Sequence, residues 1–471
     1  MTQLITFPTH NHGNTLDLLI TSAPHNILKL SSREPLIDTC DHNMINFTLN
    51  LTLSKTTKIY PKRNFYRANY DLINNYLSEC SLDQIFTDNT ADINAAYSQF
   101  INIIHNSIKL YVPLYKTHTK SRLPKNIKNM LNLKKQLYKR TKFDPTSKLL
   151  YKELCKCYKK AVNLYFSNIE QEIITTSNKK SFYSYINRKL KSRSTLPPLV
   201  DTNDKIVIDP YEKANLLNTH FSSIFQHDNL TKPSLSPLNF PTNLLPSKKL
   251  VITNTQTIQA ISKLKGNVST TPDQVPALFI KRTCSTLSTP MTQLFNLSLN
   301  QGLVPHIWKK AEVMPIPKNK GVRSNPASQR PISLTSPFCR IMEVIVHDDI
   351  TDYLMNNNLI STVQHGFIKF RSTQTQHIDL LDKITVNYEQ HTASIIIYLD
   401  FSKAFDSVPH SKLIYTLKHF KINTQIVNWI TDYLSNRTQQ TVVEGCKSSP
   451  CAVTSGVPQG SVLGPHFLSY T

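Results

Sequence analysis

The sequence predicts an α+β chain of more than one domain. Three observations carry this: a β-rich start through residue 55, a strongly basic block of helical periodicity at 116–193, and alternating helical and strand-like segments from about 251 onward. At 471 residues the chain is too long for one ordinary domain and long enough to bury a substantial core. Its formal charge of +23 points to a polyanionic partner. Nucleic acid is favoured over a membrane surface, because no apolar run approaches transmembrane length. The first residues lack the basic and apolar regions of a secretory signal. Eight scattered cysteines form no CxxC pair, which argues against a zinc knuckle or a disulfide framework and fits a reducing compartment.

Taken in order, Leu16–Thr21 reads as a short strand with Asp17 set in it, and Asp41-His42 precedes a strand over 44–51. Residues 56–115 are mixed; Leu72, Tyr76 and Leu77, then Ile93, Ala96, Phe100 and Ile104, have helical spacing. The basic block holds 21 Lys or Arg against 4 Asp or Glu. A narrow apolar seam runs through it, and Tyr138, Tyr151, Tyr158, Tyr165 and Tyr185 interleave with the cations. The bland reading is a solvated charged helix pair. The sharper one is a nucleic-acid face on which tyrosines stack. A linker at 192–198 and a Pro, Ser and Asn-rich loop at 227–248 follow. Beyond them the pattern predicts a helix from Ile258, a helix over 287–301 closed by Gly302, strands over 312–316 and 331–334, and a helix over 341–354. A buried strand is expected over 395–399, an amphipathic helix around Leu413 and Leu417, and a strand over 441–443.

Two segments carry chemistry. In Tyr398-Leu399-Asp400-Phe401-Ser402-Lys403-Ala404-Phe405-Asp406 an apolar strand delivers Asp400 at its end, and an aromatic residue follows five positions on. Asp406 reads as a cap of the turn that follows. In Thr454-Ser455-Gly456-Val457-Pro458-Gln459-Gly460-Ser461 two glycines bracket a turn carrying one amide side chain. Only nine glycines occur in the chain, so this pair stands out as a place of close backbone approach.

Together these segments resemble the first and second palm motifs of a reverse transcriptase, of the kind carried by jockey-like non-LTR (LINE-type) retrotransposons. The resemblance implies a right-hand polymerase with fingers and palm. It implies that Asp400 is catalytic and binds Mg²⁺ (or Mn²⁺), that Phe405 lies under the nucleotide sugar and rejects a 2′-hydroxyl, and that Gln459 contacts the nucleotide. Trp308–Lys318 and Arg330–Leu334 resemble fingers motifs, in which Lys318 and Arg330 would face the triphosphate. Gln364–Thr373 resembles the next fingers motif. Template contact is then implied for Arg371, and close template approach for Gly456 and Gly460. The chain departs from the pattern at Ile368, at Phe370 in place of a glycine, and at Thr270-Thr271-Pro272-Asp273-Gln274 in place of a glycine-rich loop.

Leu16–Thr21 and Cys40–Ile45 resemble the last two motifs of an apurinic-type endonuclease, with His42 and Asp17 as catalytic residues and Asp41 beside them; Cys40 replaces the usual serine. The resulting organisation is an endonuclease α/β-sandwich remnant at 1–55, a helical basic linker at 56–200, an extension to the fingers at 201–296, and the reverse transcriptase domain at 297–471. The partners implied are an RNA template, a DNA primer or target and dNTPs, with no membrane, in an intracellular ribonucleoprotein of nucleus and cytoplasm. The expectation is a piece truncated at both ends, lacking the paired aspartates and the thumb. The chain alone would then be inactive, and residues 1–55 poorly packed. The alternative is a non-catalytic nucleic-acid-binding relic. An intron-type or RNA-copying RNA polymerase is disfavoured by the endonuclease motifs and Phe405.

Overall fold

The computed structural model describes residues 2–21, 24–34, 40–49, 62–86, 92–115, 123–140, 144–176, 178–190, 196–226, 244–269, 271–318, 321–401 and 403–470. Parts of the expected linker and of the 227–248 loop lie outside these residues. The chain divides into two units, Met1–Tyr60 and Pro61–Thr471.

In the first unit β1 (Thr2–Gln3) pairs with β2 (Ile20–Thr21), and β3 (Ile27–Arg33) with β4 (Met44–Leu49), both antiparallel. The strand expected over Leu16–Thr21 shrinks to its last two residues. The N–H groups of Leu16 and Asp17 donate to the Thr9 hydroxyl, and that of Leu19 to the Gln3 side chain, so they leave the ladder. Among the described residues of this unit only Ile5 and Thr9 are buried, while Leu16, Leu18 and Leu49 are exposed. Two-stranded pairs have no third layer to cover an apolar face.

The second unit begins with β5 (Lys62–Arg63), α1 (Tyr70–Glu79), α2 (Ile93–Tyr111) and β6 (Leu114–Tyr115), which pairs with β5. Asn69 and Asp92 cap the two helices through their side chains. Ile73, Leu77, Ile93, Phe100 and Ile104 enter the same core as residues 250–467. The described parts of 62–115, which fall within the linker expected over 56–200, therefore contribute to that core. The protruding part is confined to α3 (Lys125–Arg140), α4 (Pro145–Thr175) and α5 (Lys179–Leu190), in which only Ile127 and Ser147 are buried among the described residues.

The hairpin β7 (Leu199–Val200) and β8 (Ile206–Val207) leads to α6 (Pro210–Ser222). Then come α7 (Asn254–Lys263), α8 (Ala277–Arg282) and α9 (Cys284–Gln301), which ends at Gly302 with φ 64°. The antiparallel hairpin β9 (Lys310–Pro317) and β10 (Gln329–Leu334) precedes α10 (Pro337–Asn356), α11 (Thr373–Glu389), the single turn α12 (Ala404–Ser407), α13 (His410–His419) and α14 (Thr424–Leu434). β11 (Arg437–Val443), β12 (Cys446–Lys447), β13 (Cys451–Val453) and α15 (Leu463–Tyr470) complete the chain. The sheet runs β10-β9-β11-β12, with β13 also on β11; β9 and β11 are parallel, joined by the helical crossover. β11 alternates strictly in burial. Its inner face meets α6, where Ala214, Leu217 and Phe221 pack on Val313 and Val443. Within 201–296, α6 packs on this sheet and α7, α8 and α9 contribute to the core.

The buried strand expected over Ile395–Leu399 does not form. Ile395 and Leu399 are each 89% exposed, and no backbone hydrogen bond among the described residues holds 395–401. β-branched residues favour a strand only when a neighbour takes up their N–H and C=O groups. α11, just before it, buries no residue either.

Candidate functional site

The segment after Asp400 and the turn around Gln459 are bolted together through backbone. Val457 N–H donates to the Phe405 carbonyl at 2.7 Å, and Gly456 N–H to that of Val408 at 2.8 Å. The Ser455 hydroxyl donates to the Asp406 carbonyl at 2.8 Å, and His410 Nε2 lies 2.7 Å from the Gly456 carbonyl oxygen. Gly456 has φ 78°, and a Cβ there would stand 2.6 to 2.7 Å from the backbone of Phe405 and Asp406. Only glycine admits this contact.

The other end of the turn is fixed to β10 and α10. Ser333 N–H donates to the Gln459 carbonyl at 2.8 Å, and Arg340 Nη2 to that of Gly460 at 3.2 Å. The fully buried Glu343 accepts the N–H groups of Val462 at 2.7 Å and Leu463 at 3.3 Å, capping α15 with its carboxylate. Between these anchors lies a crevice of about 30 Å³ lined by Asp406, Gln459, Ser333, Arg437, Phe221 and Phe225. It has room for water and none for a nucleoside.

Charge gathers here in a way the sequence did not announce. Burial pushes the Asp406 carboxyl above its ordinary value, against the pull of Lys403 and Lys318. Burial, then the same two lysines, lowers the pKa of His220. These four side chains therefore share one electrostatic neighbourhood. Asp406, expected to cap the next turn, lines the crevice instead; α13 starts after Pro409, its N-cap, without a side-chain cap. Buried Arg437 lies 4.5 Å over the Tyr433 ring and donates through Nη1 to the Tyr433 carbonyl. Lys403 stood within the motif and could have been singled out. His220, Arg437 and Glu343 come from distant segments with no local signature.

Phe405 is half-buried against the core, and Gln459 reaches the crevice. Lys318 is exposed, with Nζ donating to the Ala327 carbonyl at 2.8 Å. Arg330, opposite Ile316, is exposed on the alternate face of β10 from Pro331 and Ser333, the residues of that strand that line the crevice. Arg371 Nη1 donates to the carbonyls of Gln364 at 2.5 Å and Thr362 at 2.6 Å, stapling its own loop. The close approach permitted by Gly456 and Gly460 is to protein backbone, that of Phe405, Asp406 and Ser333.

Asp400 is exposed on the unpaired segment. Mg²⁺ takes oxygen ligands in near-ideal octahedral geometry. Among the described residues no group of three His, Cys, Asp or Glu side chains converges. The described residues by themselves do not assemble a Mg²⁺ or Mn²⁺ centre around Asp400.

On the protruding helices, the tyrosines mostly serve packing. The rings of Tyr138 and Tyr151 lie 5.5 Å apart across α3 and α4, with Lys134 Nζ 5.4 Å from the Tyr158 ring, and Tyr185 donates to Glu170. Tyr138 stays 59% exposed. In the N-terminal unit, His42 Nδ1 lies 2.8 Å from Asp17 Oδ2, and this bond, then one from Thr9, lowers the Asp17 pKa. The His10 ring meets that of His42 edge-on at 5.1 Å, a neighbour the motif reading missed. Asp41 is exposed beside them.

Residues 316–471 match the family model described as reverse transcriptase (RNA-dependent DNA polymerase). The chain is 25% identical over 360 residues to the probable RNA-directed DNA polymerase from transposon BS of Drosophila melanogaster, an alignment covering 74% of this chain and 39% of that protein. It is 24% identical over 426 residues to the RNA-directed DNA polymerase from mobile element jockey of the same organism, covering 86% of this chain and 46% of the relative. The Pol polyprotein of a type-1 R2 element from Popillia japonica is 30% identical over 174 residues, 37% of this chain and 24% of the relative. The chain spans less than half the length of these relatives. Among the described residues no helix is long and apolar enough to cross a membrane.

Proposed function

We propose that the chain, whose residues 316–471 match the reverse transcriptase model and which resembles the polymerases of jockey-like non-LTR retrotransposons, forms the fingers and part of the palm of an RNA-directed DNA polymerase. Its substrate is then a deoxynucleoside triphosphate, and its partner an RNA template bearing a primer. The observation that carries this reading is the pair of backbone bonds from Gly456 and Val457 to the Phe405–Val408 turn. They hold an aromatic ring and an amide side chain on two adjoining turns, as a sugar wall and a base-pair contact require. Lys318 and Lys403 supply positive potential for a triphosphate on the open side of the crevice. The basic helices α3 to α5 hold the RNA backbone through charge.

Asp400 offers one carboxylate toward a divalent metal, and the described residues do not complete the ligand set. The chain by itself is therefore expected to bind primed RNA and nucleotide without extending the primer. The test is nucleotide binding to the chain on a primed RNA. Gln459→Ala should weaken dNTP binding about tenfold, the worth of roughly one hydrogen bond. Phe405→Ala should narrow the preference for dNTP over rNTP. Wild-type affinity and discrimination in both variants would refute the reading.

For the N-terminal unit we read Asp17, Asp41 and His42 as an endonuclease remnant, supported by the Asp17–His42 contact. No metal-holding cluster occurs among the described residues, so nicking of abasic DNA should be at background for the chain and for His42→Ala alike.

A further inference from the structure

An open cavity of about 330 Å³, the size of a small-ligand pocket, lies between α3 and α4. α3 contributes Leu131, Lys134, Lys135, Tyr138 and Lys139, residues three and four apart that share one helical face, and α4 contributes Tyr151. No Asp or Glu occurs among the described residues that line it. The walls are thus a leucine, two phenol rings and the stems of three lysines.

The tyrosines of this region play different parts. The rings of Tyr138 and Tyr151 are 5.5 Å apart and inclined at 46°, so they meet as tilted walls and not as a closed stack. Lys134 Nζ lies 6.0 Å from the Tyr151 ring and 5.4 Å from that of Tyr158, which engages its charge within the helix pair. Tyr151 and Tyr158 are half-buried, whereas Tyr138 keeps 59% of its surface in water at the cavity. Lys135 and Lys139, one turn apart on α3, are exposed at its rim.

An aromatic wall flanked by cations fits a ligand that is flat and apolar at one end and anionic at the other. A nucleotide of a single strand is such a ligand. Its base stacks on an aromatic ring whatever its identity, and the adjoining phosphates pair with the lysines. A duplex cannot use the wall, because its bases are stacked on one another inside the helix. The charge of the block, 21 Lys or Arg against 4 Asp or Glu over 116–193, complements a polyanion.

We propose that this cavity seats one unpaired base of a single-stranded RNA on Tyr138, with the neighbouring phosphates on Lys135 and Lys139. The choice of RNA rests on the polymerase reading; the stacking pocket rests on the α3–α4 geometry. The basic helices then do more than attract a backbone: they prefer single strands.

The full chain is titrated, without dNTP, with a labelled single-stranded oligouridylate, with a duplex RNA of the same length and with a single-stranded DNA. Tyr138→Ala should weaken single-stranded RNA binding about tenfold. Duplex binding and the salt slope should stay at the parent value, because no phosphate contact is removed. Tyr138→Phe should bind as the parent does, since the ring stacks without its hydroxyl. Tyr138→Leu keeps an apolar side chain against Tyr151 and should still lose the tenfold, which separates stacking from loosening of the helix pair. The double variant Lys135→Ala, Lys139→Ala should weaken both RNAs and lower the salt slope. Parent affinity in Tyr138→Ala, or equal loss on duplex and single strand in Tyr138→Leu, overturns the proposal. So does tighter binding of the single-stranded DNA, or Tyr138-dependent binding to phosphatidylserine vesicles in place of RNA. Failure of the polymerase reading would appear instead in dNTP binding by the Gln459 and Phe405 variants.

Discussion

Phe370 stands at φ 64° with its ring 92% exposed, and Gln274 at φ 57°. Both occupy positions where the resemblance calls for glycine. A phenylalanine is expected to remove the positive-φ option; the backbone takes that conformation regardless, and the residue is strained. The left-handed region costs a residue with a Cβ about 1–2 kcal/mol. Glycine gives back about 0.5–1 kcal/mol of that in chain entropy. Phe370→Gly should therefore raise stability by about 0.5–1 kcal/mol in urea unfolding, and an unchanged or lower midpoint would show that the ring is packed. Arg371→Ala should cost about 1–3 kcal/mol by freeing carbonyls of the 361–364 loop while leaving RNA affinity unchanged.

Two other side chains set a pH dependence. Burial, then Asp352, raises Asp349 to about 6, while burial, then His347, lowers His466 to about 4. For Asp349 the folded pKa lies above the unfolded one, so its contribution is complete below the ordinary value of 3.8 and is lost as pH rises through about 6. For His466 the folded pKa is depressed, so its contribution is present above 6.5 and is lost as pH falls toward 4. The two slopes oppose each other in that window. After allowance for solvent screening each is on the order of 1 kcal/mol. Asp349→Asn should remove the loss on the alkaline side, so its midpoint relative to the parent should climb from pH 4 to pH 7. A parallel pair of pH curves would contradict this.

At the scale of elements, the parts legible in the sequence were those whose signal is local. The helix closed by Gly302 and the strands of the β9–β10 hairpin formed where expected, while the helix expected from Ile258 runs over Asn254–Lys263, started four residues earlier by a Thr253–Gln256 capping box that the reading did not use. Ile395–Leu399 was misread because apolar β-branched composition reports a preference, and pairing depends on a neighbour that no local window contains. This segment should lose its amide hydrogens within the dead time of an exchange experiment and be an early site of proteolysis after Tyr398 or Leu399; slow exchange there would contradict the exposure described. The basic helices were legible in charge and period; Tyr138, Tyr151 and Tyr158, offered as stacking residues, also help join α3 to α4, a contact that no local window announces. Reversing several lysines of α3 and α4 should weaken RNA binding uniformly across sequences. Its salt slope should fall by about one for each phosphate no longer neutralised.

At the scale of the molecule, one core takes in residues from Phe65 to Phe467, and α1 and α2 belong to it as fully as α9, α10 and α14. That inclusion was invisible beforehand because the apolar periodicity of 70–111 specifies a buried face without naming what buries it. The motif around Gln459 was recognisable by letters, but its three anchors on Phe405–Val408, Ser333 and Glu343 are tertiary facts. The polymerase reading depends on the first of them. Gly456→Ala tests it most directly, since the new methyl would stand within 2.7 Å of the Phe405–Asp406 backbone and force the two turns apart. On the chain bound to primed RNA, dNTP affinity should fall by at least tenfold while RNA affinity, carried by the basic helices, stays at the parent value. Parent-level dNTP binding by Gly456→Ala would contradict the claim that these two turns together form the nucleotide site.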